Sequence, residues 1–321
     1  GRCDLQALKR DRPDGTLGCC MTLEQLRIFV AVAERQHVTQ AAAELHLTQS
    51  AVSSAIAALE SRHDVRLFDR VGRNIVLNQN GQVFLEEAKA VLARAAAAET
   101  ALADLGGLKR GRLSVHASLT IASYWLPERI VAYRQAHPGI DIDIQIGNTA
   151  DVAKAVAESY AELGLVEGEV DDPVLSRQPI GQDQLMIVVG LDHPWAGRVE
   201  IEPADLPASN WVLREQGSGT RSAFEAAVRS CGVDPKALPV ALTLPANEAI
   251  LAAVQAGLGA TAISASVARP ALEAGHVRQV PFQLPARPYY VLRHKERFRS
   301  KAGDAFLALA RAMDGGRGGA C

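Results

Sequence analysis

The sequence predicts a small, mainly helical N-terminal module with a β-wing, then one long helix, then a larger α/β domain. Three observations carry that prediction. Apolar residues recur at helical spacing in three short segments before residue 62, they repeat as heptads between 84 and 105, and beyond residue 112 they fall into short strand-like runs alternating with helical stretches. A chain of 321 residues is long enough to bury two or three separate cores.

Composition narrows the class. Hydrophobic residues make up 48% and charged residues 22%, the balance of an ordinary globular protein, and no apolar run approaches the roughly 18 residues a spanning helix needs. No membrane partner is expected. The stretch Gly1–Cys20 has no apolar signal core, and Met21 opens the first periodic segment, so residues 1–20 are expected to be an extension or tag without a fold of its own. Of five cysteines, Cys3, Cys19, Cys20 and Cys321 lie at the ends, and neither a CxxC pair nor a Cys/His set at zinc spacing occurs. No metal or cofactor is expected, the compartment is read as cytoplasmic, and Cys231 as a buried small apolar residue.

The elements follow in order. Thr22 precedes Leu23, Leu26, Phe29, Val30 and Val32, the apolar face of a first helix. Thr39 is read as the cap of a short helix Gln40–Leu45, and Thr48 as the cap of a third from Gln49 to about Arg62 with Val52, Ile56 and Leu59 inward. Ala42 suits a close helix crossing. This is the layout of a helix-turn-helix. The start of its last helix presents Thr48, Gln49, Ser50, Ser53 and Ser54, side chains able to reach base edges or phosphates in a major groove. Runs 65–70 and 74–77, joined at Val71-Gly72-Arg73, read as a hairpin wing with Arg66, Arg70, Arg73 and Asn74 placed for phosphate or minor-groove contact. Charge alone does not point to nucleic acid: the chain carries −2, and between 21 and 80 six arginines meet six acids, although Arg62, Arg66, Arg70 and Arg73 crowd one end.

After Gly81, the residues Phe84, Ala88, Val91, Ala95, Ala98, Leu102 and Leu105 alternate spacings of four and three, a heptad seam about 35 to 40 Å long that suits a partner helix. Gly106-Gly107 and Lys109-Arg110-Gly111 read as a hinge. Strands are expected at 113–117, 140–146, 162–166 and 184–189, followed by a looser segment at 211–213. Helices are expected at about 122–136, 149–159, after Ser218, after Asn247, and at 301–313. Two turns carry chemistry. Ser118 and Thr120 open a helix whose free N–H groups can hold an anion, and the run Leu213–Arg221 offers Gly217, Ser218, Thr220 and Arg221, with glycines that let backbone approach a ligand. Asn148, Thr149 and Asn247 open further helices on the same pattern. No P-loop, GxGxxG, GxSxG or paired histidine motif is present, so catalysis is not expected.

The runs TLEQLRIFVAVAE, AAAELHLTQSAVSSAIAALE and LFDRVGRNIVLNQNG closely resemble the DNA-binding module of LysR-type transcriptional regulators over about sixty residues. Two positions depart from it: Ser54 stands where many members carry arginine, and Asp64 where glycine is usual. The resemblance implies a winged helix-turn-helix at 21–80, a linker and dimerisation helix at 81–107, and a two-lobed effector domain of the periplasmic-binding-protein type (type II). Its first lobe would comprise 112–181 with 286–313 and its second 182–285. It further implies double-stranded promoter DNA, RNA polymerase and other copies of the chain as partners, with dimers assembling into a tetramer. Leu213–Arg221 and Glu162–Gly168 resemble one branch of the family, regulators of sulfur assimilation and carbon fixation. That branch implies an effector such as sulfite or sulfate, or a phosphorylated or carboxylated metabolite. A solute-binding protein is the rival reading for residues 112–313, but it leaves the wing and the heptad helix without a purpose.

Overall fold

The computed structural model describes residues 21–72, 74–105 and 111–315. The expected extension 1–20 and the expected hinge at 106–110 lie outside them. The chain divides into two compact units, Gly1–Ala96 and Ala97–Cys321.

The first unit opens with α1 (Leu23–Arg35), where Thr22 accepts from the Gln25 N–H and Gln25 returns a bond to the Thr22 N–H, a reciprocal cap. Helix α2 (Val38–Glu44) starts earlier than expected: His37, not Thr39, is its cap, with Nδ1 accepting from Gln40 N. The chain turns sharply at Gln36, whose φ is 48°, and so delivers His37 to the helix start. Helix α3 (Gln49–His63) is capped by Thr48 as read, its hydroxyl accepting from Ala51 N. It ends at Asp64 with φ 50°, a left-handed residue, which accounts for the glycine commonly found there. Ala41, Ala42, Val52 and Leu59 are buried with Leu26, Phe29 and Val32 in one core.

The wing is an antiparallel pair, β1 (Phe68–Val71) and β2 (Asn74–Leu77), in which Phe68 faces Leu77 and Val71 faces Asn74. Glu60 pins it to α3: its Oε1 accepts from Leu67 N at 2.8 Å and Phe68 N at 3.3 Å. Helix α4 (Gln79–Leu105) runs 27 residues, about 40 Å at 1.5 Å per residue. Its seam is divided. Ala88 is buried and Phe84 packed in the helix-turn-helix core, with Phe84 4.7 Å from Phe29 between ring centroids, whereas Val91 and Leu102 stand exposed. The heptad pattern predicts one partner-facing stripe; in the structure its first turns serve the chain's own core.

The second unit is built on a nine-stranded sheet of order β4-β3-β5-β11-β6-β9-β7-β8, with β10 also on β6. Strands β3 (Gly111–Ser118), β4 (Ile140–Gly147) and β5 (Leu163–Glu167) run parallel, as do β7 (Trp211–Arg214), β8 (Val240–Leu244) and β9 (Ala260–Ser264). The long strand β6 (Leu175–Gly190) and the late strand β11 (Ala286–His294) pair antiparallel with each other, while β10 (Val277–Gln279) lies antiparallel on β6. Strand β6 therefore belongs to both halves of the sheet, pairing β11 with its first part and β9 with its last.

The helix expected at 122–136 is two: α5 (Leu119–Tyr124) and α6 (Leu126–Ala136), broken at Trp125 with Pro127 in the first turn of α6. Helices α7 (Thr149–Ala157), α8 (Gly219–Ser230), α9 (Asn247–Gln255), α10 (Ala265–Glu273) and α11 (Lys301–Gly315) cover the faces. Each half of the sheet is sandwiched: Leu113, Val115, Tyr133 and Phe306 on one face of the first half, Val152, Val156 and Leu292 on the other, with Trp211 and Phe224 opposite Val212 and Val254 in the second. Strands β8, β9 and β10 and helix α10 escaped the sequence reading. Cys231, expected buried, is exposed, because it falls at the end of α8 where the chain turns outward at Gly232.

Candidate functional site

The N-terminal unit offers a polar helix face beside a basic hairpin. Gln49, Ser50, Ser53 and Ser54 are exposed along the first turns of α3, while Val52 between them is buried. Thr48, besides capping, lies 3.1 Å from the Ser50 hydroxyl, so two of the expected contact residues also bond each other. Arg66 and Arg70 are exposed at the wing. The Arg66 carbonyl accepts from the side-chain amide of Asn78, at 3.1 Å, which holds the wing's base to the start of α4. Arg73 lies outside the described residues, and only the backbone of Asn74 is described. A Cβ at Gly81 would overlap the Leu67 carbonyl oxygen, so glycine there lets α4 lie against the wing. Arg70→Ala is expected to weaken DNA binding across all sequences and lower the salt slope of log K by about 1; an unchanged slope removes Arg70 from the phosphate contacts.

In the second unit the predicted residues converge where the two halves of the sheet meet. Ser118, at the end of β3, and Thr120 come from one half; Ser218 and Thr220, at the start of α8, come from the other. Ser118, Thr120, Thr220 and Asn247 are at most 1% exposed. At their meeting point lies a residue the sequence reading did not assign: Glu167, the last of β5, itself 1% exposed. Its carboxylate accepts from the Ser118 hydroxyl and, at 3.4 Å, from the Thr220 hydroxyl. Neither Ser118 nor Ser218 spends its side chain on capping its helix, and the buried Ser218 Oγ has no partner among the described residues.

A second line of bonds runs behind the first. The Arg214 guanidinium grips Glu215 through Nε and Nη2 at 2.9 and 3.0 Å and donates through Nη1 to Asn247 Oδ1 at 3.0 Å; Asn247 Nδ2 then donates to Thr120 Oγ1 at 3.3 Å. Arg287 of β11 lies directly opposite Asp183 of β6 in the strand register. Its Nε and Nη2 reach Asp183 Oδ2 at 2.9 and 2.6 Å, and its Nη1 donates to Thr220 Oγ1 at 3.1 Å. Asp183 also accepts from Ser264, at 2.7 Å. Tyr289 sits beside this group, and burial, reinforced by Asp183, pushes its hydroxyl far above the ordinary tyrosine range, so it keeps its proton at neutral pH.

The remaining predicted residues do structural work here. Asn148 and Asp151 close a reciprocal cap on α7. The Thr149 hydroxyl donates to the Glu167 carbonyl at 3.0 Å. Gly217, with φ 87°, turns the chain against Asn148. Arg221 is bound to Glu225 at 2.7 Å and to the Arg214 carbonyl at 3.0 Å, which turns it along its own helix. Glu167 had one readable signal, an acid ending a continuous apolar strand at the edge where open α/β sheets hold ligands. Asp183 and Arg287 had none, since their pairing spans 104 positions.

Residues 23–82 match the bacterial regulatory helix-turn-helix proteins of the lysR family, and residues 106–314 match the LysR substrate binding domain. The chain belongs to the LysR family of transcriptional regulators. Among relatives of this LysR-type regulator is the HTH-type transcriptional regulator YeiE of Escherichia coli (strain K12), 35% identical over 290 residues, covering 89% of this chain and 96% of that one. A probable RuBisCO transcriptional regulator of Cyanidioschyzon merolae (strain NIES-3377 / 10D) is 34% identical with the same coverage. CysL of Bacillus subtilis (strain 168) is 32% identical over 249 residues, 78% of this chain and 82% of CysL. The solved structure of CbnR, a LysR family transcriptional regulator, superposes with a TM-score of 0.68 at 22% identity, covering 91% of this chain and 99% of CbnR. The regulatory domain of Synechocystis PCC6803 CcmR in complex with 2-PG matches 64% of this chain and 98% of that domain, at 25% identity and a TM-score of 0.59. The LysR-type regulator thus combines a helix-turn-helix with a two-lobed α/β domain that binds a small effector, and its family is one of regulators rather than enzymes. No described helix is long and apolar enough to cross a membrane.

Proposed function

We propose that this LysR-type regulator binds promoter DNA through α3 and the wing, and that it responds to a small oxyanion, sulfite or sulfate, seated between the lobes. The lobes are taken as 112–181 with 286–313 and as 182–285. One observation carries the effector reading: hydroxyls of Ser118 and Thr220, from opposite halves of the sheet, converge on a pair of acceptor oxygens, and the Ser218 hydroxyl at the start of α8 is buried without a partner among the described residues. The acceptor is the Glu167 carboxylate. An oxyanion presents the same acceptor oxygens and competes with it for the same donors. A phosphorylated or carboxylated metabolite is the second reading, supported by the resemblance to the CcmR domain bound to 2-PG.

Two copies pair through the exposed part of α4, around Val91 and Leu102, and pairs assemble into a tetramer. Paired winged helices match two half-sites, as two-fold DNA readers require, and the solved complex of full-length CbnR with its target DNA supports this use of the module. Effector binding changes the angle between lobes, and so the spacing of the DNA-reading helices, through its differential affinity for the two arrangements. RNA polymerase is the expected further partner at the promoter, and the cytoplasm, where that DNA lies, the place of action.

The test is a thermal-shift screen of the purified chain with sulfite, sulfate, thiosulfate, phosphate and small phosphorylated or carboxylated metabolites. A ligand at about 100 times its Kd stabilises by roughly 2.7 kcal/mol. Stabilisation by one anion that Ser118→Ala abolishes is the expected result. A chain indifferent to every anion would defeat the effector reading and leave the DNA-binding reading standing.

A further inference from the structure

We propose that Arg214 and Arg287, whose own hydrogen bonds go to protein groups, are positioning residues that turn the hydroxyls of Thr120 and Thr220 into obligate donors toward the cleft. The inference rests on the reading of this cleft as an anion seat. It assigns that selectivity to residues that do not touch the ligand, and it specifies the ligand atoms opposite these two threonines: oxygens without protons.

The argument is one of proton placement. A guanidinium can only donate. Arg287 Nη1 lies 3.1 Å from Thr220 Oγ1, so that oxygen is the acceptor there and its single proton points elsewhere; the available direction is toward Glu167, where Oε1 lies at 3.4 Å. Arg287 is held in place by two bonds to Asp183, which is fixed in turn by Ser264.

The second threonine is set through an amide. Asn247 can face Arg214 Nη1 only with its oxygen, which fixes the orientation of the whole side chain. Its NH2 is then committed to Thr120 Oγ1. Thr120 is again an acceptor on its protein side, so its proton points away from the Asn247 amide. Arg214, Arg287, Asn247, Thr120 and Thr220 are all at most 5% exposed, so water does not reorient them. Glu167, a carboxylate, already accepts from Ser118 and Thr220 as such a donor set requires.

Asn247→Asp tests this with almost no change of shape. An aspartate oxygen in place of Nδ2 accepts from Thr120, whose proton then turns away from the cleft. The full-length chain is titrated by thermal shift with sulfite, sulfate and phosphate separately, as wild type, Asn247→Asp, Thr120→Val and the double variant. The expected result is at least a 10-fold loss of affinity for the bound anion in each single variant, and no further loss in the double, because both changes remove one proton. Additive losses would mean that the new carboxylate acts through its charge, and would overturn the proposal, as would wild-type affinity in Asn247→Asp. Thr220→Ser and Thr220→Val give a second arm should Asn247→Asp fold poorly. The serine keeps the proton set by Arg287 and is expected within about 3-fold of wild type, the valine at least 10-fold weaker; equal affinities overturn the proposal. If wild type binds none of the three anions, the anion reading itself fails and the proposal with it. A normal wild type beside unaffected variants defeats the proposal alone.

Discussion

Gly219→Ala is expected to lower the affinity for the effector by about 100-fold or more, removing the response. Gly219 is the first residue of α8, where alanine is a better helix former than glycine, and its backbone is not left-handed. What forbids a side chain is space. A Cβ there would overlap the Glu167 carbonyl oxygen and stand 2.5 Å from the Thr149 hydroxyl, both on the opposite lobe. The alanine therefore wedges the lobes apart and separates Ser118 and Thr120 from Ser218 and Thr220. A loss of about 100-fold corresponds to roughly 2.7 kcal/mol, a modest demand for an overlap with backbone. Isothermal titration of the variant measures it, with DNA affinity in the absence of effector as the check on the N-terminal unit. Undiminished affinity would show that binding does not need the lobes this close.

Arg287→Leu is expected to destabilise the second unit by about 3–5 kcal/mol, because it strands the Asp183 carboxylate in a site where Asp183 and Arg287 have only 2% and 5% side-chain exposure. For a unit of this size that is a fall in Tm of roughly 6–20 °C. Replacing both partners, Asp183→Leu with Arg287→Leu, should recover most of the loss, since the hydrophobic pair leaves no buried charge unpaired. Calorimetry of the three chains decides it. A single variant as stable as wild type would mean that water reaches Asp183 once the guanidinium is gone.

These two residues divide what could be read in the chain from what could not. The helix cap at Thr48 was legible because capping is settled within three residues, although the same local pattern pointed to Thr39 for α2, where His37 takes the role. Ser118, Thr120, Ser218, Thr220 and Asn247 could be singled out as polar residues beside helix starts, and the structure links Ser118 to Thr220 through Glu167 and Thr120 directly to Asn247. The partners that make sense of them were not legible. Arg287 meets Thr220 across 67 positions and Asn247 meets Thr120 across 127, and no local pattern encodes such distances. Periodicity also could not say against what a stripe packs: the seam of α4 was visible, but not that Phe84 and Ala88 close the core of their own unit. Strand β8 was missed for a different reason, since its residues are largely exposed and show no alternation.

The place of β11 in the sheet has a consequence for synthesis. It lies between β5 and β6, yet more than a hundred residues of chain separate it from both sets of partners at Glu167 and Arg177. As the polypeptide leaves the ribosome, β3, β4 and β5 can pair at once, but the far edge of β5 waits for residues 286–294. The N-terminal part of β6 waits with it. Through that interval the nascent chain carries an apolar, uncapped edge of Leu163–Val166, the kind of edge that invites intermolecular pairing. The middle of the first half of the sheet is therefore closed only by the last strand to be made, so a chain truncated before Ala286 is expected to leave β5 and β6 unjoined.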